Sequence, residues 1–592
     1  MRKLFLTSLI LILTGFYSPL SDANLNSKLS HNLKLAVSNS LSSQSEFHIW
    51  INLSDKGNYD IKKIESSLTN ENKKRRLKLG KELVDYSDIP VNYEYIETIK
   101  SMGFKVKHIS KWFNSVSGYV NAENLNSISQ LDFVKSAELV SKYRYNENYK
   151  KLLNSVEQTE FISNDNPSAF SLDYGNSLQQ SQLINVPVCH DSGYKGQGVL
   201  IASFDTGVDN LMHPCFDSMR VRGLRTYDFV NNDTIIGNIP GHEGDGCHGT
   251  RTLSLVGGFA PGNLISPAFQ SKYIIAKTEN TKSETPVEED NWIAAAEWAD
   301  SLGADIITSS LGYLDFDPGS PYQYNWTWMN GDSCRITIAA DLAVHKGIIV
   351  VNSAGNNGFN ADHNTLNAPA DGDSVLTIGS INFNGARSSF SSVGLTTDGR
   401  IKPDVMAVGS GNTTAVCGNG TGYTNNGSGT SFSCPMVAGA CAIILSANPM
   451  LTPMQVIGLL KSTASNTSNP NREIGWGTIN TWEAVKIART ISVIDPSNTF
   501  AGDYKLDQNY PNPFNPETKI PVVLKKPAFV TIKIYDELGR VVGDVVNNKA
   551  YPDGSFTVNF NTTSYNLSAG VYYYSLIVNG LFISSKKMVL VK

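Results

Sequence analysis

Apolar runs alternate with amphipathic stretches along the middle of the chain. Strand-like runs include GVLIASFD, YIIAKT, IIVVNSAGN and VLTIGS, and the stretches between them include WIAAAEWADSLG and ITIAADLAVHKG. Apolar strands separated by amphipathic helices are typical of a parallel sheet with helices on both faces. The pattern predicts an α/β domain at 176–490, with its working residues beyond the carboxyl ends of the strands.

The regions on either side follow other patterns. Residues 24–150 combine a strand (47–54), a charged helical region, a β-hairpin (103–122), a short amphipathic helix and a last strand, which predicts a small α+β unit. From 504 to 592, alternating strands without helices predict a β-sandwich.

Two polar stretches separate these units. The segment 151–175 is rich in Asn, Ser and Gln, and we expect it to be an exposed linker that contains a processing site. The segment 491–515 runs into LDQNYPNPFNPETKI, where prolines stand among asparagines, and we expect linker and turn structure there.

The first residues, MRKLFLTSLILILTGFYSPLSDA, place Arg2 and Lys3 before a short apolar run. This pattern predicts a secretory signal peptide at 1–23, cleaved near Ala23. A membrane anchor is the alternative, but the run is too short to span a bilayer comfortably. We expect a soluble, exported mature protein without a membrane span.

Charge is unevenly distributed along the chain, whose net charge is −5. Residues 176–490 hold 17 Lys and Arg against 27 Asp and Glu, whereas residues 504–592 hold 10 against 6. An acidic central domain argues against nucleic acid as a partner and mildly favours basic substrates. The KKRRLK run at 73–78 lies in a mixed-charge helical pattern, and we interpret it as a solvated helix face rather than a binding patch.

The cysteines are scattered and form no CxxC pair. They number seven and stand at positions 189, 215, 247, 334, 417, 434 and 441. This distribution argues against a structural zinc site and leaves room for one or two disulfides of unknown pairing. Cys434 and Cys441 lie in an apolar helical pattern, which predicts packed thiols.

Three segments place reactive side chains at the ends of predicted elements. Asp205 directly follows an apolar strand in VLIASFDTGVD, His248 lies in a Gly-rich turn before a helix in GDGCHGTRTLS, and Ser431 opens an apolar helix in GSGTSFSCPMVAGA. A serine nucleophile needs an imidazole base in contact, and the imidazole needs a carboxylate that sets its tautomer. These requirements together predict a Ser-His-Asp triad.

A fourth segment, VVNSAGNNG, supplies an amide donor. Asn356 follows Gly355 on a turn that ends a strand. Its side-chain amide and the backbone N–H of Ser431 would together hold the oxyanion of a tetrahedral intermediate. Loss of one such donor costs on the order of 10²–10³ in rate.

Each motif taken alone has another interpretation. GTS before a helix is also an N-cap signal, and FDTG with HDSG at 190–193 resembles a pair of aspartic-protease loops. Two such loops need two similar lobes, yet Asp191 and Asp205 stand close together in the sequence. HEGDGCH at 242–248 has the wrong spacing for a zinc HExxH helix. The joint occurrence of all four motifs favours the triad.

Five motifs, taken in their order along the chain, resemble those of the subtilisin-type (S8) serine proteases: DTGVD, HGT before a helix, SSLG, AGN and GTSxSxP. The resemblance covers about 176–490 and implies a mostly parallel subtilisin-like sheet with helices on both faces. It implies a secreted serine endopeptidase that forms an acyl-enzyme. In that reading Asp205 orients His248, His248 is the base, Ser431 is the nucleophile and Asn356 lies in the oxyanion hole.

The same resemblance implies a substrate cleft. Its walls and first specificity pocket would be formed by Ser310, Leu311, Gly312, Ala354 and Gly355. Substrate preference depends on the loops 313–333 and 357–374 and cannot be read from the sequence.

The chain departs from the family pattern beside the predicted base. Many members carry a second His where this chain has Arg251, and Cys247 either pairs with another cysteine or tunes the site. The resemblance implies no cofactor for the chemistry but admits structural calcium. Asp209 is one conceivable ligand, although the sequence assembles no set of the six to eight oxygens that calcium takes.

The flanks resemble parts of the same kind of protein. Residues 24–150 resemble an inhibitory propeptide, whose sheet packs on the enzyme's helices and whose tail fills the cleft; an unrelated α+β adaptor is the alternative. The C-terminal unit, NYPNPFNPETKI to KKMVLVK, resembles type IX secretion sorting domains; a retained binding module is the alternative.

The implied partners are protein or peptide substrates, the chain's own propeptide and the type IX secretion machinery. The implied location is the cell surface or the medium, reached through the periplasm. A catalytically silent surface protein that uses this fold for adhesion is the competing function.

Overall fold

The structure, a computed structural model, describes residues 27–40, 45–79, 82–141, 170–318, 320, 322–491, 504–525, 527–536, 541–565, 567–578 and 581–591. It divides into two compact units, Met1–Ile491 and Ser492–Lys592. The predicted signal peptide, most of the predicted processing segment and the linker before residue 504 lie outside the described residues, so these remain predictions.

The first part of the larger unit is a small α+β fold. Its elements are α1 (His31–Ser38), β1 (Glu46–Leu53), α2 (Ile61–Ser67), α3 (Asn70–Leu77), α4 (Tyr93–Ser101), β2 (Lys105–Ser110), β3 (Ser115–Asn121), α5 (Ala122–Ser129) and β4 (Val134–Ser141). The strands form an antiparallel sheet in the order β2-β3-β1-β4. The predicted hairpin, short helix and last strand are confirmed.

The second part of this unit carries the site. Its elements are α6 (Leu178–Gln182), α7 (Val186–Asp191), β5 (Leu200–Asp205), α8 (Asp217–Val221), β6 (Leu224–Asp228), α9 (Cys247–Gly257), β7 (Phe259–Ala260), β8 (Leu264–Ile265), β9 (Lys272–Lys277), α10 (Pro286–Leu302), β10 (Ile306–Ser309), α11 (Arg335–His345), β11 (Ile349–Ser353), β12 (Leu376–Ile381), β13 (Val405–Val408), β14 (Asn412–Ala415), β15 (Tyr423–Gly427), α12 (Thr430–Ala447), α13 (Pro453–Ser462) and α14 (Thr481–Thr490).

Seven strands form one parallel sheet in the order β13-β12-β11-β10-β5-β9-β6. Ile307 and Val350 share a core with α10 and α11. On α12, Cys434 approaches Thr308, the residue after Ile307, with 3.8 Å between Sγ and Oγ1. Successive strand residues point to opposite faces, so helices cover both faces of the sheet and the predicted α/β fold is confirmed.

The helix α12 is the central helix of this domain. Its length and composition would suit a membrane span, but 89% of this 18-residue helix is buried inside the protein. It is therefore a core helix, and its burial explains why an apolar stretch of this length occurs in a globular domain.

The C-terminal unit is a β-sandwich. Its strands are β16 (Tyr504–Leu506), β17 (Glu517–Leu524), β18 (Ala528–Tyr535), β19 (Val541–Tyr551), β20 (Gly554–Asn561), β21 (Gly570–Val578) and β22 (Leu581–Leu590). Two antiparallel sheets, β16-β17-β20 and β19-β18-β21-β22, enclose a common core. The predicted sandwich is confirmed.

The prediction of a linker as far as residue 515 is wrong for residues 504–515. Phe514 is 1% exposed in the sandwich core, and its N–H donates to the carbonyl of Val589 at 2.9 Å. The Asn509 N–H donates to the hydroxyl of Tyr574 at 2.6 Å. Prolines and asparagines here shape a turn between strands, and the buried aromatic ring ties that turn to the domain.

The interpretation of the run 73–78 as a solvated face is also wrong. Arg75 and Arg76 are 1% and 3% exposed and both pair with Asp300 near the end of α10. Arg76 also contacts Asp88, with 2.8 Å between Nη1 and Oδ2. Two arginines can be buried here because carboxylates distant in the sequence neutralise them.

Candidate active site

Asp205 and His248 meet where β5 ends and α9 begins. Nδ1 of His248 lies 2.6 Å from Oδ1 of Asp205. The other carboxylate oxygen accepts a hydrogen bond from the Thr252 hydroxyl at 2.8 Å, and the Thr206 N–H donates to Oδ1 at 2.7 Å. The carboxylate is 2% exposed and fixed in direction, so it can orient the imidazole. Nothing in the sequence motifs pointed to Thr252.

The environment of His248 tunes it as a base. Burial lowers the pKa of its imidazole, but the charge and hydrogen bond of Asp205 raise the pKa above its ordinary value, and the charge of Arg251 opposes that rise. The side chain of His248 is 21% exposed. Because a neutral imidazole must accept the proton, the carboxylate makes His248 a stronger base.

Ser431 lies in the first turn of α12. Gly429, which precedes this helix, has φ of +141°, a conformation that side-chain-bearing residues rarely adopt. The Ser431 hydroxyl donates to the Ser310 carbonyl at 3.1 Å, and the Ser310 hydroxyl donates to the Ser431 carbonyl at 2.8 Å. The described residues contain no hydrogen bond between Ser431 and His248.

The neighbour of Ser431 nevertheless contacts the imidazole. The ring of Phe432 lies edge-on to the ring of His248, with 5.9 Å between centroids. The structure therefore brings His248 beside the first turn of α12. It differs from the predicted triad in the direction of the Ser431 hydroxyl, which points to Ser310.

Asn356 lies at the same edge of the parallel sheet, on the turn after β11. Its side-chain oxygen accepts hydrogen bonds from the N–H and the hydroxyl of Thr430, at 2.9 and 3.1 Å. This arrangement holds the amide next to Ser431 and points Nδ2 away from Thr430. Nδ2 has no acceptor within the part of the chain that the structure describes, and the residue is exposed, so the amide can donate to a bound group.

The predicted cleft residues occupy the ends of the adjacent strands β10 and β11. Ser310 contacts Ser431 directly, and the Gly355 N–H contacts the Thr430 hydroxyl at 3.3 Å. The carbonyl of Leu311 accepts a hydrogen bond from Asn352 at 3.0 Å. The other two members of the predicted set, Gly312 and Ala354, lie in the same two segments.

Sequence reasoning missed Asn367, which stands between these two segments. Its Nδ2 donates to the carbonyl of Gly312 at 3.2 Å. A Cβ on Gly355, whose φ is +110°, would lie 2.8 Å from its Oδ1. Asn367 lies in the loop 357–374, whose effect on substrate preference could not be predicted from the sequence. It belongs to no local motif.

A disulfide joins Cys247, the neighbour of the predicted base, to Cys417. This pairing resolves the alternative left open for Cys247. Cys434 and Cys441 are buried free thiols, as predicted.

Asp209, the conceivable calcium ligand, lies beside the disulfide. Its Oδ2 accepts a hydrogen bond from the Gly418 N–H at 2.7 Å, beside the disulfide. Among the described residues, the group of three possible ligands that cluster closely is Asp228, Asp233 and His242. Asp228 already pairs with Lys277 at 3.2 Å. Asp209 is not a member of this group, and calcium binding at Asp209 stays a prediction.

Comparison with known families identifies three segments. Residues 196–477 match the Subtilase family, peptidase S8. Residues 48–157 match the peptidase S8 propeptide domain of Bacteroidota, and residues 508–591 match a secretion system C-terminal sorting domain.

Two subtilisins agree with this assignment. The chain is 30% identical over 378 residues to subtilisin amylosacchariticus from Bacillus subtilis subsp. amylosacchariticus, covering 61% of this chain and 86% of the relative. It is 33% identical over 285 residues to a subtilisin from Bacillus pumilus, covering 48% and 89%. A solved protease from Pseudoalteromonas arctica aligns with a TM-score of 0.42 and 21% identity over 54% of this chain and 99% of that one.

Subtilisins need no cofactor for their chemistry. The C-terminal match indicates export by the type IX secretion system. The chain thus belongs to the subtilase (S8) family and is a serine endopeptidase with an S8 propeptide and a C-terminal sorting domain.

Proposed function

We propose that this protein hydrolyses peptide bonds through a covalent acyl-enzyme on Ser431. The hydroxyl first rotates about χ1, from the Ser310 carbonyl toward His248. His248 then takes the hydroxyl proton as the oxygen attacks the peptide carbonyl, and Asp205 stabilises the resulting imidazolium. The observation that carries the proposal is the 2.6 Å contact between Asp205 and His248, whose imidazole lies beside the first turn of α12.

The proton then moves to the leaving group. His248 donates it to the departing amine as the carbon–nitrogen bond breaks, which leaves the acyl group on Ser431. A water molecule gives a proton to His248 and attacks the ester carbonyl. His248 returns the proton to the serine oxygen, and the peptide acid leaves.

The developing oxyanion needs fixed donors in the cleft. Nδ2 of Asn356 and the backbone N–H of Ser431 are the proposed pair. The hydrogen bonds from Thr430 to the amide oxygen of Asn356 support this role, because they fix the amide before substrate arrives.

The segments Ser310–Gly312 and Ala354–Gly355 are the proposed walls of the first specificity pocket. Their contacts with Ser431 and Thr430 at the start of α12 support this role. Asn367, held between them, would then contribute to the pocket's depth and polarity.

The proposed life cycle follows the order of the domains. Residues 1–23 direct export to the periplasm, residues 24–150 inhibit the enzyme and template its fold, and processing within 151–175 releases the domain at 176–490. The sorting domain then engages the type IX machinery. The contacts of Arg75 and Arg76 with Asp300 support the inhibitory role.

A fluorophosphonate probe tests the proposed chemistry, because it reacts with an activated serine. The processed, exported protein should be labelled, and Ser431→Ala and His248→Ala should not. The matched control is Ser433→Ala, because the Ser433 hydroxyl donates to the Thr430 carbonyl within the same helix turn. Absence of labelling in the processed wild type would favour the silent adhesion protein instead.

Intact mass of the exported protein tests the life cycle. It gives both processing positions at once. An exported product that begins before residue 150 would contradict removal of the inhibitor.

A further inference from the structure

Arg251 stands one helical turn after His248 on α9. Residues three apart on a helix lie on the same face, and both side chains contact the same ring. The guanidinium carbon of Arg251 lies 4.9 Å from the centroid of Phe432, and the imidazole of His248 lies 5.9 Å from it. Arg251 therefore borders the proposed active site.

The charge of Arg251 has no counter-ion in the described part of the chain, where no carboxylate oxygen lies within 4.0 Å of it. Its Nε donates to the Thr414 hydroxyl at 3.1 Å and its Nη2 donates to the amide oxygen of Asn426 at 2.7 Å. A guanidinium carries five N–H groups, so three keep free capacity. The side chain is half-buried and the acceptor Asn426 is exposed, so this guanidinium lies at the protein surface.

This arrangement differs from that of the two buried arginines of the propeptide. Where an arginine is buried near α10, carboxylates neutralise it: Arg75 and Arg76 both pair with Asp300. Arg251 is instead held in place by two neutral acceptors. Its geometry is fixed while its charge remains available.

The chemistry of the proposed reaction determines which part of a substrate reaches this charge. His248 gives its proton to the departing amine, so the residues that follow the scissile bond lie on the side of His248. The specificity pocket, formed by the ends of β10 and β11, holds the residue before that bond. Arg251, one turn beyond His248, therefore faces the residues after the bond.

We propose that Arg251 forms an anion-binding subsite that selects peptides with Asp or Glu at the first or second residue after the scissile bond. The inference rests on the proposed function. The proposed preference for acidic residues is local. It is opposite to the preference expected from the whole domain, because residues 176–490 have a net charge of −10 from 17 basic and 27 acidic side chains. A fixed guanidinium recognises a carboxylate through charge-assisted hydrogen bonds.

The test uses processed, exported protein and quenched fluorescent peptides with one cleavable bond. The peptides share every residue except the first and second after that bond, which are Glu, Gln or Lys in turn. Wild type should cleave the Glu peptide about two to five times more efficiently than the Gln peptide, judged by kcat/KM, as a partly exposed ion pair allows. The ratio should shrink as salt is raised, because salt screens such a pair.

Three variants locate the effect. Arg251→Gln keeps a side-chain donor without charge and should bring the Glu-to-Gln ratio close to one. Arg251→Lys keeps the charge and should retain part of the preference. The matched control, Arg489→Gln, removes an exposed arginine from α14 and should leave the ratio unchanged. Fluorophosphonate labelling of each variant reports whether its active site is formed.

The possible outcomes distinguish this inference from the proposed function on which it rests. Cleavage of all peptides with a wild-type ratio of one or less, or a ratio that Arg251→Gln does not alter, overturns the subsite and leaves the protease intact. Failure of wild type to cleave any peptide or to react with the probe overturns both.

Discussion

The polar groups of α10 that face the propeptide differ from the polar groups in the cleft of the same catalytic domain. On α10, Asp300 accepts hydrogen bonds from two propeptide arginines, and Glu297 accepts them from the N–H groups of Lys111 and Trp112 at 3.1 and 3.2 Å. In the cleft, the amide of Asn356 and the guanidinium of Arg251 keep N–H groups without an acceptor in the described residues. The carboxylates of Asp300 and Glu297 thus have partners within the chain, whereas the two cleft donors are open to a bound group.

The energetic consequences differ accordingly. Removal of one member of a buried pair strands the other charge away from water, which is costly. Open donors at an exposed rim are satisfied by water until a ligand replaces it, so they cost little in stability. Substitutions on α10 should therefore change folding, and substitutions in the cleft should change rates.

The largest effect is expected in the cleft, at Asp205. Asp205→Asn keeps the shape of the side chain but removes the charge that raises the pKa of His248. It also presents an N–H to Nδ1 and so favours the wrong tautomer. We expect kcat to fall by about 10⁴, measured by peptide hydrolysis under single-turnover conditions.

The matched control is Asp217→Asn on α8. This carboxylate is 65% exposed and pairs with Arg220, so the same change in charge occurs at the surface. Its rate should stay within about twofold of wild type. Retention of more than a tenth of the wild-type rate by Asp205→Asn would contradict the proposed role of this residue.

The second effect tests the propeptide face. In an unprocessed Ser431→Ala chain, Asp300→Asn should lower the free energy of unfolding by about 3–5 kcal/mol, because Arg75 and Arg76 lose their shared counter-ion. Urea unfolding of the purified chain measures the change.

Glu97→Gln provides the comparison for this second effect. Glu97 pairs with Lys100 at 2.8 Å, and both side chains are more than 40% exposed, so the change should leave the free energy of unfolding close to that of wild type. Equal losses from the two substitutions would show that the propeptide face is not held by its buried charges.

The same contrast explains what could be predicted from the sequence. Asp205, His248, Asn356 and Ser431 could be predicted as site residues because each follows a local pattern, a strand end, a Gly-rich turn or a helix start, and the edge of a parallel sheet gathers such positions. The parallel strands themselves were visible as apolar runs. The positions of these side chains therefore follow from short-range signals.

Features that depend on long-range pairing were not predictable. The run at 73–78 has the composition of a solvated helix, and only the fold brings Asp300 to it. The partner of Cys247 lies 170 residues away, and Asn367 reaches the cleft through a loop without regular structure. In each case the deciding partner is distant in the sequence.

The third effect tests the open amide of the cleft. Asn356→Asp keeps an oxygen that can accept from Thr430 but replaces the Nδ2 donor by a carboxylate oxygen. We expect kcat to fall by about 10²–10³ or more, with KM changed less, because an oxyanion donor acts mainly in the transition state. Steady-state kinetics measure the split. A loss confined to KM would assign Asn356 to substrate binding instead.

The smallest effect concerns Arg251 and the acid limb of the pH profile. The charge of Arg251 lowers the pKa of His248, against the rise caused by Asp205. In Arg251→Gln the pKa of His248 should rise, so that more of the base is protonated at acidic pH and the limb moves to higher pH. With an uncharged peptide, kcat/KM at acidic pH should fall by about two- to fivefold relative to its plateau, as expected for a partly screened charge. Arg251→Lys should keep the wild-type limb, and an unmoved limb in Arg251→Gln would mean that this guanidinium does not act on the base.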